Sequence, residues 1–163
     1  MLIGESHPPK KRITPNEHNN KILATQFLTN GNIVGFGNSV GYEFNLNSEI
    51  LFQTPNNLEI GVHHDIHKTS YGTYFLIDAL TELHLCPNCH DELPDSILWQ
   101  GDRFIELDTS GEILWEWDVF DYLSLEEYNP IWIENFFNLE TFDWTHSNSI
   151  DFDEINNILY VSL

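Results

Sequence analysis

A chain of 163 residues suits one ordinary domain, and its 41% hydrophobic and 20% charged residues describe a sequence that buries a core rather than a disordered one. The formal net charge is −20 against only six Lys and Arg, a field that repels phosphate backbones and anionic membrane surfaces and so argues against nucleic-acid binding. Any anionic substrate needs a local cluster of donors to overcome that field, which otherwise reads as a solvated acidic surface that aids solubility.

Residues 1–20 are rich in Pro, Lys, Asn and His, carry three of the six cations at Lys10, Lys11 and Arg12, and show little periodicity. They are expected to form a tail or leading loop, with the folded part spanning 21–163. The stretch Met1–Pro9 has no signal-peptide core, so either the protein is not exported or its true N-terminus lies upstream. No apolar run is long enough to span a membrane, and membrane insertion is not expected.

From Lys21 onward, short apolar runs alternate with Gly, Asn and Asp. Strands are predicted at Ile22–Leu28, Asn32–Phe36, Tyr42–Asn45, Ile50–Gln53, Thr73–Asp78, Asp102–Leu107, Ile113–Trp117 and Ile158–Ser162. Short helical turns are predicted at Ser124–Tyr128 and Ile131–Phe137, with no strong helical periodicity elsewhere.

An internal repeat organises these runs. Glu43 to Phe52 aligns with Glu106 to Trp115 at a constant offset of 63 residues, each copy reading as strand, polar turn, strand. A turn followed by an apolar strand also recurs, at Asn30-Gly31-Asn32-Ile33-Val34, at Tyr71-Gly72-Thr73-Tyr74-Phe75 and at Asn156-Asn157-Ile158-Leu159-Tyr160. Such spacing predicts an all-β fold, a partial β-propeller of about three blades built from antiparallel hairpins. Three blades do not close a ring, so a blade face stays exposed unless another chain covers it, and self-association through that edge is expected. The second blade carries an insertion that holds His84-Leu85-Cys86-Pro87-Asn88-Cys89-His90, read as a long loop of the kind that often carries function.

Three motifs offer chemistry. In Val62-His63-His64-Asp65-Ile66-His67, paired imidazoles beside an Asp can supply a general acid or base held in one tautomer, or metal ligands; one buried and several solvated His would look the same. In Asp143-Trp144-Thr145-His146-Ser147-Asn148-Ser149, an extended backbone puts His146 and Asn148 on one face, where both can meet one ligand. These motifs precede equivalent turn-and-strand elements, so in a propeller they converge on the same central channel. Cys86 and Cys89 make half of a zinc site with His84 or His90, or else a local disulfide or two inert thiols. No cofactor-binding motif is present, and no metal site is assigned.

Three stretches together resemble the arylsulfotransferase family of six-bladed propellers: His63-His64-Asp65, the run from Trp99 to Trp117, and Asp143 to Ser149. The resemblance implies transfer of a sulfuryl group from an aryl sulfate ester to a phenolic acceptor, through a sulfated histidine. It matches His146 and Asn148 to the paired His and Asn that contact the sulfuryl group, and His63 or His64, preferentially His64, to an earlier active-site His. An Arg is expected shortly after Ile158–Ser162 and the nucleophilic His on a later blade; neither is matched here, so the chain is expected to carry an incomplete site. The family is usually exported. The competing readings are a non-catalytic propeller fragment that binds a partner by its open edge, and a small zinc protein organised by Cys86 and Cys89.

Overall fold

The computed structural model describes residues 21–58, 61–86, 96–128 and 141–163. The expected tail over 1–20, the stretch 87–95 with Cys89 and His90, and the expected helical turn Ile131–Phe137 lie outside the described residues.

The fold is a partial β-propeller. Blade one is a four-stranded antiparallel meander: β1 (Leu23–Phe27), β2 (Ile33–Gly37), β3 (Val40–Phe44) and β4 (Ile50–Gln53). Blade two repeats that order with β5 (Val62–Lys68), β6 (Tyr74–Leu85), β7 (Ser96–Leu107) and β8 (Ile113–Asp118). A short helix α1 (Val119–Tyr122) follows, opened by Asp118, whose side chain accepts from Phe120 N at 2.9 Å as an N-cap. After β9 (Thr141–Asp143), the hairpin of β10 (Ser149–Asp153) and β11 (Ile158–Ser162) begins a third unit. The predicted turn at Ser124–Tyr128 is a single turn in which Glu127 N donates to Ser124 O at 2.9 Å.

The sequence repeat is a repeat of hydrogen bonding. Glu43 pairs with Phe52 and Phe44 with Ile50 across a register shift; 63 residues later, Glu106 pairs with Trp115 and Leu107 with Ile113 across the same shift. In both turns one side chain caps the loop: Asn45 Oδ1 accepts from Asn47 N and Glu49 N, and Asp108 Oδ1 from Ser110 N and Glu112 N. The other recurring turn works through a left-handed residue. Gly31 and Gly72 close it at φ +86° and +102°, and Asn157 takes that conformation in the third copy at +56°, because Asn tolerates it better than most residues with a side chain.

Blade two is covered on both faces, which explains the unbroken buried run from Tyr74 to Ala79 on β6. Alternate residues point to opposite sides. Tyr74, Leu76, Ile105 and Leu107 pack with Val34, Phe36 and Phe52 of blade one; Phe75, Ile77 and Phe104 pack toward Phe142, Trp144 and Ile150 of the third unit. The blade-one contact is close. A Cβ on Gly41 would sit 2.5 Å from Ile66 Cδ1, so only glycine fits there. The first strands β1, β5 and β10 lie side by side and form the inner wall.

The insertion in blade two differs from the loop that its His, Pro and Cys content suggests. It lengthens β6 and β7 into one ladder that pairs without interruption from Tyr74↔Leu107 to Leu85↔Ser96. The parallel strand β9 pairs with Leu98–Gln100, filling the length of β7's outer edge that β8 leaves open. Three strands escape sequence reading, β5, β9 and β10, and all lie on or beside the candidate motifs.

Candidate functional site

The motif His63-His64-Asp65 lies on a bulge. Between the pairs Val62↔Asp78 and Ile66↔Leu76, four steps along β5 face two along β6. A bulge re-aims side chains that regular pleating would alternate. His64 at its centre has φ +54°, and His146, in the loop before β10, has φ +44°. Left-handed backbone at a residue with a Cβ costs on the order of 1 kcal/mol and persists where surrounding contacts dictate it.

Those contacts bring three imidazoles into a row. The His63 and His64 rings lie 5.1 Å apart at 75°, and the His64 and His146 rings 4.8 Å apart at 62°. The convergence expected from the two motifs is therefore present, although residues 144–148 form a loop rather than the extended segment expected. Within it the Asn148 amide donates to His146 O at 2.9 Å, and Asn148 N bonds Ser162 O at 3.0 Å. His64 and Asn148 line a common open cleft of 290 Å³ with Ala24, Gln26, Asp65 and His67. Among the described residues, no Lys or Arg lines it. Lys68 and Arg103 are taken up elsewhere, at 2.5 Å from Glu43 and 2.7 Å from Asp78.

The carboxylates that hold the cluster are not the one beside it in sequence. Asp65 bonds backbone groups rather than the imidazoles: its Oδ1 accepts from Ile66 N at 2.9 Å and its Oδ2 from Ile150 N at 3.0 Å, which joins β5 to β10. Asp102, buried on β7, binds the His146 loop. Its Oδ2 accepts from Thr145 Oγ1 at 2.6 Å, Ser147 N at 2.8 Å and Ser147 Oγ at 2.6 Å. Its Oδ1 stands 2.9 Å from His63 Nε2, near enough to attract it but off the line of a hydrogen bond. Asp143 hydrogen-bonds His146 Nδ1. The lengthened β7 also receives Trp144 N on Gln100 O at 2.9 Å. The insertion is thus a scaffold for the His146 loop.

Burial, then the neighbouring His63 and His146, depress the His64 pKa below its ordinary value, so His64 is neutral at pH 7. Burial alone would raise the Asp102 carboxyl; the nearby His63 ring and the hydrogen bonds from Ser147 and Thr145 outweigh it and hold the group below its ordinary value. The arrangement offers a neutral imidazole and an amide to one ligand, held by an ionised buried carboxylate behind them.

Among the described residues, no group of three His, Cys, Asp or Glu side chains is placed to hold a metal ion. Cys86 is disulfide-bonded.

A propeller whose inner strands carry clustered imidazoles defines a narrow class of protein. Residues 11–163 match the Arylsulfotransferase (ASST) family, and the chain belongs to it. No curated protein matches the chain closely enough to add to that assignment.

Proposed function

We propose that the inner cleft is the sulfuryl-binding part of an arylsulfotransferase site, and that the protein in its full-length form moves a sulfuryl group from an aryl sulfate ester to a phenol. The observation that carries this reading is the row of His63, His64 and His146 with Asn148 beside it, from two motifs 82 or more residues apart in sequence at these positions.

The chemistry is consistent with those groups. In the first step the S–O bond to the aryl oxygen breaks and a bond from sulfur to a nucleophilic imidazole forms; the phenolate leaves and takes up a proton. In the second step the acceptor phenol loses its proton, its oxygen takes the sulfuryl group, and the imidazole is released. Negative charge spreads over the sulfuryl oxygens during both transfers. The N–H of neutral His64 and the Asn148 amide supply donors to those oxygens, and His146 contributes a ring nitrogen held by Asp143. His63 acts behind them, drawn toward Asp102. In this proposal the four residues bind and orient; the nucleophile is assigned to none of them.

The test is a histidine-detected NMR titration with phenyl sulfate. Selective shifts of His64 and His146, lost when Asn148 is changed to Ala, support the site. Uniform small shifts across all eight His, or none, refute it.

A further inference from the structure

A second, larger cleft of 480 Å³ lies along the inner wall at the turn end of the strands. It adjoins the inner cleft, with Gln26 and His67 lining both. Its volume falls within the range of small-molecule sites.

Two aromatic rings stand at this cleft with large exposed surfaces: Phe27 is 76% exposed and Tyr71 58%. Rings this open are costly to leave in water, and Tyr71 is held in place. Tyr71 packs edge-on against Phe152 at 6.3 Å, and Phe152 meets Phe75 at 4.5 Å. One ring is therefore anchored to the core while much of its surface remains available.

The charge of the rim restricts the occupant. Glu154 lies at the cleft, where Ser70 Oγ donates to its Oε2 at 2.5 Å and Ser70 N to its Oε1. Those bonds hold its carboxyl below the usual range, so it is ionised at neutral pH. The cation at the rim, Lys68, has its ammonium 2.5 Å from Glu43 and 5.1 Å from the Tyr74 ring centre, which takes its charge out of the cleft. A sulfate ester meets a net negative rim here. A neutral hydroxyl meets a carboxylate with spare lone pairs that accepts its proton in a hydrogen bond.

We infer that this outer cleft binds the ring of a neutral phenol, between Phe27 and Tyr71 with its hydroxyl toward Glu154, and rejects the aryl sulfate. The role as the acceptor's approach to the transfer site rests on the function proposed above; the binding preference does not. The two clefts then sort the substrates by charge, the ester to the imidazole and amide donors, the phenol to the aromatic rings.

Isothermal titration calorimetry of the chain at pH 7 with 2-naphthol and with 2-naphthyl sulfate tests this without turnover. Naphthol binding is expected to weaken about tenfold in Phe27→Ala and in Tyr71→Ala, both exposed positions, with unchanged circular dichroism. Glu154→Gln is expected to weaken naphthol binding as well. Naphthol binding unchanged in all three variants overturns the inference, as does competition between naphthol and naphthyl sulfate that is equal in the native chain and lost in both aromatic variants. A chain that binds naphthol as described but never turns over aryl sulfate overturns the proposed function and leaves this cleft standing. Turnover with no effect of these three substitutions on naphthol binding does the reverse.

Discussion

Replacing Asp102 by Asn probes the link between the lengthened β7 and the His146 loop. Asp102 is 2% exposed, and one of its oxygens accepts three hydrogen bonds from Thr145 and Ser147. The Asn carbonyl can occupy that oxygen's place and keep three neutral bonds, but charge assistance is lost from each. A hydrogen bond to a charged group contributes about 1.5–3 kcal/mol and a neutral one about 0.5–1.5, so the substitution costs about 3 kcal/mol. Urea unfolding at pH 7 reads that loss. The pH dependence is the sharper check. Because the folded Asp102 pKa lies below the ordinary 3.8, its ionised form contributes stability above that value and loses it as pH falls through the folded pKa. The gap between native protein and variant should hold constant from pH 7 to 5 and shrink below about pH 4. A loss under 0.5 kcal/mol (about a twofold change in equilibrium), or a gap that stays constant into the acid limb, refutes the reasoning.

Other outcomes follow from the same contacts. His64 has a depressed pKa, so the unfolded chain binds its proton more readily just below the ordinary 6.5, and stability falls as pH drops through that window; His64→Gln should flatten the slope of urea midpoint against pH there. Gly41→Leu forces atoms against Ile66 and Thr54 and should cost about 1–3 kcal/mol in thermal unfolding. Lys68→Met leaves Glu43, 2% exposed, without its cation and should cost about 3 kcal/mol or more, read by the same urea titration.

Much of the fold was legible because turns are local. Asn45 and Asp108 cap their own loops, and Gly31, Gly72 and Asn157 each close a turn within four residues, so spacing alone reveals them. Strand β5 was hidden because its bulge breaks the alternation that marks a strand. The extension of β6 and β7 was hidden for another reason: the Cys, Pro, Asn and His content of 84–90 suggests a loop, and only the pairing of the two strands with each other shows that Ala79–Leu85 and Ser96–Gly101 continue the ladder. The four candidate residues could be picked out by type and by resemblance. Their supports could not, since Asp102 acts across 43 and 45 residues of chain and nothing in Gly101-Asp102-Arg103 announces it. The adjacent Asp65, which proximity would favour, serves the β5–β10 junction instead. The quoted motif Asp143–Ser149 did hold one further clue, the Asp three residues before His146 that binds its ring.

Release of 4-nitrophenol from 4-nitrophenyl sulfate by the full-length protein, with and without added phenol, tests the central claim most directly. The account predicts release that depends on the phenol acceptor and falls about a hundredfold in His146→Ala and in Asn148→Ala, with folding intact in both. A correctly folded protein that releases no nitrophenol, or one whose release is indifferent to both substitutions, contradicts it.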